Sequence, residues 1–298
     1  MEKIVVDNLR KRTKHFVLDG INFTVHSGEI FAVVGIAESG KEMLVKTLQK
    51  LGFKSAGKVE INRRDVGTCV ADQVFYPNAS VWGTLKDSLR LNNQVATRRE
   101  MKNILNLVGL KSKSRTAIKK LTPNRITRLK IAAAIVGTPG ILILDDPFAN
   151  LGEFESREIR VILKTLADKF DTAILLTARD FHGIEEIFDT VAIIEAGQIV
   201  RVETYNNLAR LNAKYAKTCI TTPSPNLAAK LITEEFGYPA NIFEATDVIV
   251  DAHPDNSQAI YDFLVKKEIQ VTSVTRVNKS IANLFDTLRS QRYGGVTS

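Results

Sequence analysis

Ile30-Phe31-Ala32-Val33-Val34-Gly35-Ile36-Ala37-Glu38-Ser39-Gly40-Lys41-Glu42 decides the fold of this chain. Its first five residues are an unbroken apolar run, too short for a helix and suited to a strand buried on both faces. Gly35 to Lys41 then spell G-x-x-x-x-G-K, and residues 43–51 carry apolar side chains at helical spacing. Strand, glycine loop and helix in that order make a phosphate-binding loop, in which glycines let backbone N–H groups converge on an anion and a lysine adds charge. Gly35, Glu38, Ser39, Gly40, Lys41 and Glu42 are therefore the candidate phosphate-contacting residues. One position departs from the pattern. The Ser or Thr expected after the lysine, whose hydroxyl would hold Mg²⁺, is Glu42. A unit-charge pair at ~4 Å and an effective dielectric of ~20 is worth ~4 kcal/mol, so a misplaced carboxylate offsets much of the lysine's attraction for phosphate. Glu38 escapes this by pointing to water. Glu42 reads either as a direct Mg²⁺ ligand or as a partner of Lys41 that mimics a bound anion.

Upstream, residues 4–6 and 20–25 alternate in polarity on either side of a basic stretch at 11–14, which predicts an antiparallel strand pair. Downstream, residues 84–120 are helical and charged, with an amphipathic segment at 98–110 that ends near Gly109. Residues 128–136 form another expected helix, broken by Gly137-Thr138-Pro139-Gly140. A buried strand at 141–144 then ends in Asp145-Asp146-Pro147. A helix is expected at 157–170, a strand at 172–176, a short helix at 183–188 and a hairpin at 191–200 around Gly197. Strands alternating with helices predict an α/β fold with a mainly parallel sheet covered on both faces.

After about residue 213 the texture changes. Segments at 217–221, 225–236, 241–245, 248–252, 257–267 and 270–274 read as strand, helix, strand, strand, helix, strand. That order predicts a small α+β ferredoxin-like sandwich, finished by a helix over 281–289. The expected division is 1–213, with a helical subdomain at about 80–130, and 214–298.

The net charge of +8 favours an anionic partner, either nucleic acid or an anionic membrane surface. Basic residues are scattered, with small clusters at 10–14, 111–120 and 125–130, and no aromatic stripe interleaves them. Nucleic acid is therefore the poorer expectation. The sequence shows no charged-then-apolar leader and no apolar run near the ~20 residues that cross a bilayer, so a cytoplasmic protein is expected. Cys69 and Cys219, far apart and without metal-type spacing, read as reduced core thiols.

Asn78, Leu121, Leu142 and Asp145 complete an ordered set, and residues 4–211 resemble ABC-transporter ATP-binding domains, particularly those of bacitracin- and lantibiotic-type exporters. Val17 to Phe23 and Ser27 to Ile30 look like the segment before that family's P-loop. Phe75 to Val81 resembles the stretch after its Q-loop, Ile141 to Pro147 its Walker B strand, and Ala192 to Val200 the hairpin that follows. The resemblance implies a P-loop NTPase fold, ATP and Mg²⁺ as ligands, a dimer with itself or with a second ATP-binding subunit, and a transmembrane permease as partner. The segment with Trp82 and Leu85 falls where the family docks its permease, and reads equally as plain subdomain core. The C-terminal region resembles the accessory domain of the same exporters.

The departures from the family sit at the chemical positions. Thr13 stands where an aromatic ring usually stacks on adenine, with Phe16 nearby. The Q-loop glutamine falls near Ala71, and Gln73 lies two residues on. The signature L-S-G-G-Q is Leu121-Thr122-Pro123-Asn124-Arg125, without its glycines and with one N–H removed by Pro123. Asp145 keeps the Walker B carboxylate that holds Mg²⁺ through water. The following glutamate, which polarises attacking water, is Asp146, one methylene shorter. The switch histidine corresponds to Arg179, a permanent cation that cannot shuttle a proton, and the D-loop aspartate to Gly152. His182, three residues beyond Arg179, is a weak substitute. The expected function is a non-hydrolysing subunit, with weak or absent Mg-ATP binding, at the cytoplasmic face of the membrane. It pairs with a competent ATPase and couples to the permease. One alternative is an active ATPase with Glu42 as metal ligand, Asp146 as base and Arg179 as sensor. The other is a soluble regulatory or nucleic-acid-binding protein derived from the fold.

Overall fold

The computed structural model describes residues 1–14, 16–49, 56–70, 72–91, 94–149, 151–181, 183–214 and 216–277. The chain divides into two compact units, Met1–Tyr205 and Asn206–Ser298.

In the first unit, β1 (Glu2–Arg12) and β2 (Val17–His26) pair antiparallel, as the alternating runs predicted, and both are longer than the runs themselves. The strand β3 (Ile30–Val34) is buried at every position. Helix α1 (Lys41–Gln49) follows the glycine loop. Two short strands escaped the sequence: β4 (Ala56–Ile61), mostly exposed, and β5 (Val66–Cys69), interrupted by Gly67. Three helices come next: α2 (Val81–Leu91), α3 (Arg98–Leu107) and α4 (Pro123–Ile135). A capping box secures the start of α3, with Thr97 and Glu100 each accepting from the other's backbone N–H. The remaining elements of the unit are β6 (Ile141–Asp145), α5 (Glu153–Phe170), β7 (Ala173–Ala178), β8 (Thr190–Glu195) and β9 (Gln198–Thr204).

A six-stranded sheet in the order β5-β6-β7-β3-β8-β9 is parallel except for the hairpin edge β9. A second, antiparallel sheet runs β2-β1-β4. One apolar core joins strands of both sheets to α1 through Ile4, Leu18, Ile21, Phe31, Val33, Leu44, Leu48, Ile143 and Leu175. Each such fully buried side chain contributes about 1.5–3 kcal/mol against exposure. Two expectations change here. The helix placed at 128–136 begins five residues earlier, at Pro123. The short helix placed at 183–188 is a series of turns, with Ile184 N and Glu185 N both bonded to Phe181 O at 3.1 Å.

Helix α6 (Tyr205–Lys214) leads into the second unit, which holds β10 (Lys217–Thr221), α7 (Pro225–Phe236), β11 (Ala240–Ile242), β12 (Asp247–Val250), α8 (Ser257–Lys266) and β13 (Ser273–Val277). From β10 onward this is the element order read from the sequence. The sheet runs β11-β12-β10-β13 with every pair antiparallel, over a core of Ile220, Ile232, Val248, Ile260 and Leu264. Pro225 opens α7 and left-handed Gly237 closes it. The helix expected at 281–289 lies outside the described residues. No described helix is long and apolar enough to cross a membrane. Both thiols are buried, and burial pushes the pKa of Cys69 up to about 12.

Candidate functional site

The glycine loop leaves the centre of the large sheet, where β3 lies between β7 and β8. Two glycines are required by close approach. A methyl group on Gly35 would stand 2.4 Å from Ile194 O, and one on Gly40, whose φ is +110°, would stand 2.9 Å from both Leu18 Cδ2 and Phe16 Cε1. Glu38 is exposed and left-handed, with φ 61°. It therefore points its carboxylate to water, as expected. The turn of the β8–β9 hairpin braces the loop from outside. Gly197 N donates to Ser39 O at 2.9 Å, and Gly197 O accepts from Asp19 N at 2.9 Å.

Lys41 is buried, and its Nζ donates to Gly35 O at 2.5 Å, Ile36 O at 2.7 Å and Ser39 Oγ at 3.2 Å. An ammonium has three donors, so the loop's own acceptors take all of them. Burial lowers the lysine's pKa below the ordinary value, and the nearby Asp146 and Asp145 carboxylates oppose that shift. Glu42 does not pair with Lys41, as one expectation had it. It turns outward, 71% exposed, onto Lys46 Nζ at 2.5 Å. The (i, i+4) spacing of Glu42 and Lys46 on a helix is the signal in the sequence for that contact.

The acidic end of the site is built by register. Strands β6 and β7 run parallel with Asp145 opposite Thr177, which places Asp146 beside the segment entering Arg179. Thr177 Oγ1 donates to Asp145 Oδ1 at 2.7 Å and accepts from Asp146 N at 3.0 Å. Asp146 adopts a left-handed backbone, φ 47°, and its carboxylate Oδ2 lies 3.3 Å from Arg179 Nε. Burial raises the Asp146 pKa above the usual carboxylate value, and the Arg179 guanidinium pulls it back. Lys41, Asp145, Asp146 and Arg179 thus form one electrostatic cluster at the mouth of the loop. Gly152 is the N-cap of α5 and contributes no capping side chain.

Around the helical region the residues have structural duties. Thr122 is the N-cap of α4 and Pro123 sits in its first turn, where a missing N–H removes a donor without breaking the helix. Asn124 Oδ1 accepts from Arg128 Nε at 2.9 Å. Arg128 also donates to Val108 O at 3.2 Å and pairs with Glu158. Nothing in the sequence singles out that buried arginine, which ties α3, α4 and α5 together. Leu85 is fully buried, in keeping with the subdomain-core reading of its segment, whereas Val74 and Tyr76 are 87% and 81% exposed. Thr13 N donates to Phe16 O at 2.8 Å, and the Phe16 ring packs beside Gly40. Gln73 Oε1 is buried without a hydrogen-bond partner among the described residues. Ala71 and His182 lie outside the described residues.

Comparison with known proteins agrees with this geometry. The family model for the ABC transporter matches residues 18–149. The bacitracin transport ATP-binding protein BcrA of Enterococcus faecalis is 27% identical, the match covering 96% of this chain and 95% of that one. BcrA of Bacillus licheniformis is 24% identical over 90% of each. Among solved structures, an ATP-binding subunit of an ABC transporter superposes with a TM-score of 0.62 at 18% identity, covering 70% of this chain and 92% of the other. The dimeric bacterial cassette MJ0796 superposes with a TM-score of 0.61 at 19% identity, over 68% of this chain and 98% of its own. These likenesses establish the cassette fold. With its phosphate loop on a central strand and its aspartate-bearing strand two places away, the chain carries an ABC transporter domain at residues 18–149 and is similar along its length to ATP-binding subunits of that family.

Proposed function

We propose that this chain is the non-hydrolysing ATP-binding subunit of a bacitracin-type exporter, pairing with a competent ATPase subunit and coupling it to a transmembrane permease at the cytoplasmic face of the membrane. The contact between Arg179 Nε and Asp146 Oδ2, at 3.3 Å, carries the reading. A carboxylate bonded to a permanent cation is a poor acceptor for water's proton, and Asp146 already falls one methylene short of the family's glutamate. The altered positions at Glu42, Asn124 and Arg179 support it, as does the full-length similarity to BcrA. On this reading Mg-ATP binds weakly, and the second unit, proposed as a ferredoxin-like accessory domain, makes subunit contacts. Phosphate release by the purified chain, alone and with its partner subunit disabled, is expected to stay at background. Turnover of about 1 s⁻¹ or more, the ordinary enzyme range, would reject the proposal.

Burial of Asp146 favours a second reading, an active ATPase with that carboxylate as base, because a raised carboxylate pKa suits a general base. Its activity would fall as pH drops through the raised pKa, since protonation removes the base. Asp146→Asn separates the two. It lowers turnover by about 10²-fold or more if Asp146 is the base, and leaves a background rate where it was if the favoured reading holds.

The exposed side chains of Val74 and Tyr76, just before α2, are proposed as part of the permease contact. Tyr76→Asp is expected to weaken co-purification with the permease about 10-fold, a loss of about 1.4 kcal/mol, with the melting temperature of the free chain unchanged. Undiminished capture of the permease by that variant would place the contact elsewhere.

A further inference from the structure

An ATP-binding cassette implies a divalent cation, and the donors in this chain do not suit one. Mg²⁺ takes near-octahedral oxygen ligands and is held by one or two protein groups together with phosphate oxygens. The position that would give it a direct hydroxyl carries Glu42, turned outward onto Lys46. Asp145 Oδ1 is already bonded by Thr177 Oγ1 at 2.7 Å, and Asp146 Oδ2 faces Arg179. Cations stand at this end of the loop instead, Lys41 interacting through space with both aspartates and Arg179 with Asp146.

We propose that the loop takes its nucleotide without Mg²⁺, the Lys41 ammonium and the Arg179 guanidinium supplying the positive charge that a metal ion supplies in a competent cassette. The inference rests on the identification of Gly35 to Lys41 as a nucleotide-binding loop. Arg179 engages Asp146 through Nε, and the two terminal nitrogens of a guanidinium carry four further N–H donors in a fork that matches phosphate oxygens. One side chain can therefore hold the carboxylate and a phosphate together. Metal-free ATP carries two more negative charges than its Mg²⁺ complex, so Lys41 and Arg179 attract it more strongly when the metal is removed, with the Asp146 charge already paired to Arg179. Asp146 then has a positioning role, aiming the guanidinium at the phosphates.

Equilibrium titration of the full chain with a fluorescent ATP analogue, in EDTA and in millimolar Mg²⁺, tests this. Affinity in EDTA is expected to equal or exceed that in Mg²⁺. Arg179→Ala should weaken binding in EDTA about 10-fold, and Arg179→Lys should recover part of it. Arg179 is 74% exposed, and circular dichroism of the variants reports whether the fold is kept. Binding at least 10-fold tighter with Mg²⁺, equal affinity in Arg179→Ala, or no binding in either buffer would overturn the inference. Each of these leaves the non-hydrolysing reading standing. ATP turnover in Mg²⁺ would instead sink that reading, whatever the EDTA titration shows.

Discussion

Gly197→Ala is expected to lower the stability of the first unit by about 2–5 kcal/mol, the sum of about 1–2 for a left-handed alanine and about 1–3 for forced overpacking. The glycine has φ +81°, and a methyl group there would stand 1.9 Å from the backbone oxygen of Val17. Neither partner is a flexible side-chain tip, so the turn itself must shift. In a unit of this size each kcal/mol corresponds to about 2–4 °C, which gives a fall in Tm of roughly 4–20 °C by calorimetry. Function suffers with it, because the same turn donates Gly197 N to Ser39 O in the phosphate loop. Nucleotide affinity should therefore drop even at temperatures where the variant is folded. A variant with wild-type Tm and wild-type affinity would show that the hairpin does not brace the loop.

The second large effect is expected from Arg128→Met, which keeps much of the side-chain length and removes the charge. Glu158, Asn124 and the Val108 carbonyl each lose a partner. Removing one member of a largely buried, hydrogen-bonded charge pair costs about 3–5 kcal/mol where burial is complete, and Glu158 is 40% exposed, which brings the expected loss to about 2–4 kcal/mol. Urea unfolding reads this as a lower midpoint with an unchanged slope. Gly109, left-handed at φ +70°, lies so close to Arg128 Nη1 that a methyl group there would approach it to 2.9 Å. Arg128→Lys keeps a charge and loses the fork, so it should fall between the two. A loss below about 1 kcal/mol in Arg128→Met would reduce the arginine to an ordinary surface ion pair.

How far the sequence could be read follows from how local each signal is. The β3–loop–α1 segment was legible because a wholly apolar strand, a glycine motif and a helical period lie within about twenty residues. The same holds for β6 and, in the second unit, for β10 and α7, whose bounds agree with the expectation residue for residue from Lys217 to Thr221 and from Pro225 to Phe236. Strands β4 and β5 were not legible. The first is mostly exposed and alternates weakly, and the second is four residues long with a glycine inside. Pro123 hid the start of α4, since a proline reads as a breaker unless its place in a first turn is known. At the site, the identities of Glu42, Asp146 and Arg179 were plain from the letters, but their pairing was not. Asp146 and Arg179 are 33 residues apart and meet only because β6 and β7 are neighbours in a fixed register. Arg128 was invisible for the same reason, as its partners come from three helices.

The two buried thiols have a practical consequence. Cys69 is 3% exposed with its pKa pushed up to about 12, and Cys219 is 8% exposed. A thiolate is the species that attacks a maleimide, so neither native sulfur should compete for such a reagent while the chain is folded. A single cysteine introduced on the surface can then be labelled with a dye or spin probe in the otherwise unaltered protein. Movements of the cassette against a partner become measurable without first stripping out its own sulfurs.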